Sequence, residues 1–177
     1  MKTALLPLLA LLALAQCKKK ADPAPVDQLP PATQTGANTF GCLLNGAAYA
    51  PKGNNGPSNY TVSYDPTYRA GTLNVGTYSY YGSGSNDYRI LGFYSDSLQR
   101  PGVYSIKPQG RNGASVVDRL KACEYHSIDA GTYCKGQFTI TRLDLQAGVV
   151  SGTFDFTLAK PGCDTVRVTQ GRFDRKL

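Results

Sequence analysis

In the segment Thr153–Leu158 the apolar residues Phe154, Phe156 and Leu158 alternate with Thr153, Asp155 and Thr157. A period of two puts the first three on one face and the polar three on the other, the mark of a half-buried antiparallel strand. The same rhythm runs through Thr132–Leu143, and Val166 and Val168 set the inward face of a last strand. Phe173 falls out of phase with those valines, and a bulge at Gln170-Gly171 restores it. Upstream, short runs rich in Tyr, Thr and Val (Tyr60–Tyr64, Thr72–Tyr81, Asp87–Tyr94, Val103–Ile106 and Arg119–Ile128) are separated by clusters of Gly, Pro and Asn. Asn45-Gly46 stands between two apolar runs, and a tight hairpin turn needs positive φ at both central positions, which that pair tolerates best. No segment carries a 3.6-residue apolar period of helix length. The expected fold is all-β: a single antiparallel β-sandwich or flattened barrel of about eight to ten short strands.

The beginning of the chain is of another kind. Leu5–Ala15 is apolar, follows Lys2, and is too short for a bilayer span, which takes roughly 20 residues, so residues 1–16 read as an export signal. Leu14-Ala15-Gln16-Cys17 resembles the bacterial lipobox, in which the cysteine is acylated before cleavage. Gln16 departs from that pattern, and Ala13-Leu14-Ala15 offers a competing A-x-A cleavage site. Cysteine parity separates the two. The five cysteines are 17, 42, 123, 134 and 163, and lipidation of Cys17 leaves an even set able to pair in an oxidising compartment. Cys17 is therefore the expected lipidation site and the membrane the expected first partner. Residues 17–38, punctuated by Pro23, Pro25, Pro30 and Pro31, read as a disordered tether, and residues 39–177 as the globular domain.

The formal net charge of +7 raises nucleic acid as a partner. Apart from Lys18-Lys19-Lys20, placed to meet lipid headgroups, the basic residues are scattered, which describes a solvated surface and argues against nucleic acid. The four remaining cysteines allow three connectivities. Cys123, His126 and Cys134 have a C-x₂-H…C spacing, but zinc needs a fourth ligand and exported thiols oxidise, so no metal is assigned. No nucleophile elbow, H-E-x-x-H or glycine-rich phosphate loop occurs, and no cofactor is called for. Glu124 is the only glutamate, so a hydrolase, the alternative reading, would have to use aspartates such as Asp144 and Asp155, or His126. A binding or structural module without catalysis is the leading expectation. Tyr78 and Tyr80 share a face opposite Leu73 and Val75. If the latter face the core, the tyrosines form a platform for a glycan or an envelope protein.

Two motifs bracket the domain. Thr39–Gly46 (TFGCLLNG) resembles the TFGCxxNG opening of a family of small lipoproteins of Bacteroidetes-type bacteria. Ser151–Phe156 (SGTFDF) and Thr169–Asp174 (TQGRFD) resemble its SGTFxF…TxGRFD ending. The resemblance implies a β fold and an envelope location and no activity. Because Cys42 and Cys163 sit in or beside its first and last motifs, it implies the pairs Cys42–Cys163 and Cys123–Cys134. In that lineage, surface-displayed lipoproteins carry acids soon after the lipidated cysteine. Here none precedes Asp22, which implies anchoring in the outer membrane facing the periplasm. Asp96-Ser97-Leu98 and Asp164-Thr165-Val166 resemble the O-glycosylation sequon of such bacteria, making Ser97 and Thr165 candidate acceptors beside their plainer reading as a turn serine and a strand threonine.

Overall fold

The computed structural model describes residues 22–177 except Ser83, Ser85 and Asn86. The export signal, Cys17 and Lys18-Lys19-Lys20 lie outside the described residues. Among the described residues, a 3₁₀ turn, Pro25–Gln28, precedes eleven strands. They are β1 (Thr39–Leu44), β2 (Ala47–Tyr49), β3 (Tyr60–Asp65), β4 (Thr72–Tyr80), β5 (Tyr88–Ser95), β6 (Gly102–Ile106), β7 (Asn112–Asp118), β8 (Cys123–His126), β9 (Tyr133–Asp144), β10 (Val149–Ala159) and β11 (Val166–Lys176). They form two antiparallel sheets, β2-β1-β11-β10-β9-β6 and β3-β4-β5-β7-β8, packed as a sandwich. The four sheet edges fall to short strands, β2, β6, β3 and β8. Short edges offer little unpaired backbone to another chain.

The predicted alternation holds where it was clearest. Phe154, Phe156 and Leu158 are buried while Thr153 and Asp155 are exposed. Asn45 and Gly46 both have positive φ, at 50° and 83°, and join β1 to β2 in register Leu44↔Ala47. The bulge lies where the phase slip required it. Gln170 takes φ 54°, and the burial pattern of β11 moves from Val166 and Val168 to Gly171 and Phe173. A Cβ on Gly171 would overlap the Phe154 ring, so the bulge must present glycine inward.

Phe93 of β5 ties the sheets together. Its ring lies 5.1 Å from Phe138, 5.0 Å from Phe154 and 5.5 Å from Phe173, all on the opposite sheet. Phe40 stacks on Phe154 at 5.1 Å and extends the cluster toward β1. Aromatic pairs at these separations add about 0.5–1.5 kcal/mol each beyond the area they bury.

Three expectations are corrected. The strand β7 is not legible in the sequence: it lies inside its sheet between β5 and β8 and buries Gly113, Ala114, Val116, Val117 and Asp118, leaving no alternation to read. The disulfide joins Cys123 to Cys163, with Cα atoms 6.0 Å apart, in place of the expected Cys42–Cys163 and Cys123–Cys134 pairs. Cys123 opens β8 of one sheet and Cys163 lies in the β10–β11 turn of the other, so the bridge staples the two sheets. Cys42 and Cys134 face the core as free thiols, opposite Tyr49 and Leu158 in their ladders. Burial pushes the Cys42 thiol up to about 12, and Cys134 upward as well.

The third correction concerns the tether, whose described part docks on the domain. Leu29 is buried, and Pro30 lies against Gly41 so closely that a Cβ there would sit 2.6 Å from the proline Cδ. Residues 33–37 then wrap around the carboxylate of Asp174. Its Oδ2 accepts from the Thr33 hydroxyl at 2.7 Å and the backbone N–H groups of Thr35 at 2.9 Å and Ala37 at 3.0 Å. Its Oδ1 accepts from the Gly36 N–H at 2.8 Å and the Ser151 hydroxyl at 2.6 Å. The Arg142 guanidinium donates to the Gln34 carbonyl at 2.6 Å, and the Asn38 side chain accepts from the Lys176 N–H. Residues 29–38 are thus a strap across one end of the six-stranded sheet, on the face opposite the core.

Candidate functional site

Sequence reasoning nominated residues that the fold disperses. His126 stands on the edge strand β8, with Nε2 4.0 Å from Glu124, on the five-stranded sheet. Asp144 pairs with Arg142 at 2.8 Å and accepts from the Ala147 N–H, closing the β9–β10 turn of the other sheet. Those two hydrogen bonds, the backbone one foremost, hold its carboxyl below the usual range. Asp155 lies on the outer face of that same six-stranded sheet. Cys123 is spent in the disulfide, which removes one ligand from the C-x₂-H…C set. Among the described residues, no group of three or more His, Cys, Asp or Glu side chains is placed to hold a metal.

Leu73 and Val75 do face the core, so Tyr78 and Tyr80 lie on the outer face as expected, with ring centroids 5.9 Å apart. Tyr88 joins them from β5, 5.3 Å from Tyr80. The surface is nevertheless partly covered. The Tyr78 hydroxyl donates to the Pro57 carbonyl at 2.7 Å and accepts from the Asn55 N–H. Gly53 packs on Tyr80 closely enough that a Cβ would lie 2.8 Å from its ring. These tyrosines carry the 52–59 loop. Thr165 is exposed in the segment before β11, whereas Ser97 is half-buried beside Leu98, which is fully buried.

Two of the concavities on the described surface bear on a site. The smaller, about 260 Å³, opens at one end of the sandwich over Leu44, Val116, Tyr125 and Val166. Its rim charges pair among themselves: Arg89 with Asp118 at 2.8 Å and Lys121 with Asp164 at 2.7 Å. The Tyr125 hydroxyl donates to the Asp164 carbonyl, and the Tyr81 hydroxyl donates to Asp118. Burial would raise the Asp118 carboxyl, but the Arg89 and Tyr81 hydrogen bonds outweigh that and hold it below its ordinary value. This rim is a finished network that ties β7 to the disulfide-bearing turns.

The larger is an open groove of about 1010 Å³ along the outer face of the six-stranded sheet. Antiparallel register builds its floor in rows. Lys135, Thr157 and Arg167 lie side by side across β9, β10 and β11, and Gln137 stands next to Asp155 in the following row. Tyr133 begins the same face of β9, with Thr165 and Thr169 along the far wall. Among the described residues, the side-chain ion pairs use other groups, and Lys135, Arg167 and Asp155 take part in none. Rows of unpaired polar side chains on a rigid sheet are suited to hydrogen-bonding an outside molecule. The signal was in the sequence: Lys135, Gln137, Asp155 and Arg167 hold the outward phase of the best-patterned strands. It was passed over because outward phase also describes an ordinary wet face.

Comparison with known proteins finds no match: no family model fits the chain, and no curated protein and no solved structure is similar to it.

Proposed function

We propose that this chain is a lipid-anchored envelope protein, held through Cys17 in the outer membrane with its domain facing the periplasm. Its globular part serves as a non-enzymatic binding or structural module. The motif resemblance to small Bacteroidetes-type lipoproteins supports that address. So does the Cys123–Cys163 bridge, since disulfides persist in exported proteins and are rare in reducing compartments. The observation that carries the binding reading is the outer groove, where Lys135, Arg167 and Asp155 stand unpaired on a rigid floor.

The test has two readouts. Cells grown with a palmitate analogue should label the wild type and not Cys17→Ala, and the variant should move from the membrane fraction to the soluble periplasm. Undiminished label on Cys17→Ala would defeat the anchor. Turnover of a bound glycan or peptide by the purified protein would defeat the non-enzymatic reading.

A further inference from the structure

We infer that the outer groove is a binding site for an acidic sugar chain, with Tyr133, Lys135 and Arg167 as its main contacts. This inference rests on the reading of the domain as a binding module and names the ligand class and the surface.

The row Lys135–Thr157–Arg167 runs across three adjacent strands. Neighbouring strands are about 4.8 Å apart, so the two cations project from backbones roughly 10 Å apart with a half-buried threonine between them. An anionic group lying over Thr157 would be reached from both sides. A second row supplies a carboxamide and a carboxylate, Gln137 and Asp155, with Ser105 and Thr169 hydroxyls at the margins. Amides and carboxylates at this spacing take the vicinal hydroxyls of a sugar as donors and acceptors. Tyr133 is 53% exposed and stands two residues before Lys135 on the same face, giving a ring on which the C–H face of a pyranose can stack.

Composition separates this surface from a protein-docking patch. A protein interface centres on several large apolar anchors. Here one exposed aromatic stands among threonines, a glutamine and charges. The charge of the groove favours an acidic ligand: Lys107, Lys135 and Arg167 line it against Asp155 alone. The groove side chains rest on a buried ladder whose inward residues, Cys134, Phe138, Phe156, Leu158 and Val168, fix the rows. The site is therefore formed before ligand arrives, which reduces the ordering cost of a weak polar contact.

The experiment titrates the detergent-solubilised full-length protein with a galacturonic acid hexamer, a neutral maltohexaose and inorganic polyphosphate, following heat. The hexamer should bind saturably, more weakly as salt rises, and maltohexaose at least about tenfold more weakly. Lys135→Ala and Arg167→Ala should each weaken the hexamer about tenfold, the loss expected when a charge-assisted hydrogen bond is removed. Tyr133→Ala should weaken the hexamer similarly and leave polyphosphate unchanged. Lys52→Ala and Arg111→Ala, exposed cations that do not line the groove, should change nothing. All five substitutions are at exposed positions, and unchanged thermal unfolding confirms that the fold is intact.

Equal binding of maltohexaose, or equal losses from Lys52→Ala and Arg111→Ala, would overturn the inference. So would polyphosphate binding as tightly as the hexamer with Tyr133→Ala immaterial to both, which would mark a simple polyanion surface. Failure to bind the hexamer would also overturn it, while anchoring and the absence of turnover, judged by palmitate labelling and activity assays, would stand.

Discussion

The outer face of the six-stranded sheet has two ends built from the same strands and finished in opposite ways. At the Asp174 end, the strap of residues 29–38 covers the face and supplies most of the donors the carboxylate accepts from, with the Ser151 hydroxyl of β10 adding another. At the Arg167 end, seven residues earlier on β11 and roughly 20 Å away at about 3.3 Å per residue, the face is open. Both ends carry outward-facing charge. At the covered end a buried acid has become structural because the chain brought partners to it. At the open end, Lys135, Arg167 and Asp155 face solvent, and water screens them cheaply until something better arrives. Thus an outward charge is structural where local chain covers it and available where none does.

That contrast can be broken from either end. The open end relies on a covalent staple, since Cys163 lies in the β10–β11 turn that borders the groove. Replacing both Cys123 and Cys163 with serine should cost about 4 kcal/mol by chain entropy for a bridge 40 residues apart in sequence. Urea midpoints would show it, and a loss under about 1 kcal/mol would mean the sheets are held by the phenylalanine cluster alone. Asp174→Ala should cost about 3 kcal/mol, because several donors lose a buried charged acceptor together. It should also expose residues 33–37 to limited proteolysis. If the strap stays protected, Pro30 and Leu29 hold it without the acid.

The pH dependence follows from the same residue. Burial alone would raise the Asp174 carboxyl, but hydrogen bonds from Ala37, Ser151, Thr33 and Gly36 outweigh it and hold the group well below the ordinary 3.8. A folded-state value below the unfolded one contributes stability that is complete above about pH 4–5 and drains away as the pH falls below it. Stability measured between pH 6 and pH 2 should therefore fall, and Asp174→Asn should flatten that fall. An unchanged acid profile in Asp174→Asn would assign acid sensitivity to other carboxylates.

Smaller effects sharpen the picture. Gly41→Val should push Pro30 off the sheet and cost about 1–3 kcal/mol, a typical penalty for overfilling a packed site. At the open end, Asp155→Ala and Gln137→Ala should shift stability by less than about 0.5 kcal/mol, since nothing covers them. A larger loss there would show that the open face is also structural. Among the described residues, two free thiols give a last check: Cys42, with its thiol pushed up to about 12 by burial, should resist alkylation at pH 8 until the protein unfolds.

The motifs at the two ends of the domain acquire a physical reading from this comparison. Gly41 of the TFGC stretch makes room for Pro30, and Asp174 of the GRFD stretch anchors residues 33–37. Two segments that looked like unrelated signatures hold the same strap from two strands paired in register, with Thr39 opposite Asp174. Composition could not announce this. Pro30, Pro31, Thr33, Thr35 and Gly36 have the polar, proline-broken character of a free tether, and only a partner distant in sequence gives the Thr33 hydroxyl and the N–H groups of Thr35, Gly36 and Ala37 something to bind.

What the sequence determined by itself was local. The period of two along β10, the Asn45-Gly46 turn and the phase slip before Phe173 each follow from neighbouring residues, because alternation and positive φ are properties of a few consecutive positions. The tertiary structure decided everything that joins distant parts. It chose Cys163 as the partner of Cys123, because the start of β8 and the β10–β11 turn of the opposite sheet meet there, and it left Cys42 and Cys134 in the core. It hid Asp174 and left Lys135 and Arg167 open, although all three are outward-facing charges in well-patterned strands. Strand phase places a side chain on a face, and only the path of the rest of the chain determines whether that face is covered.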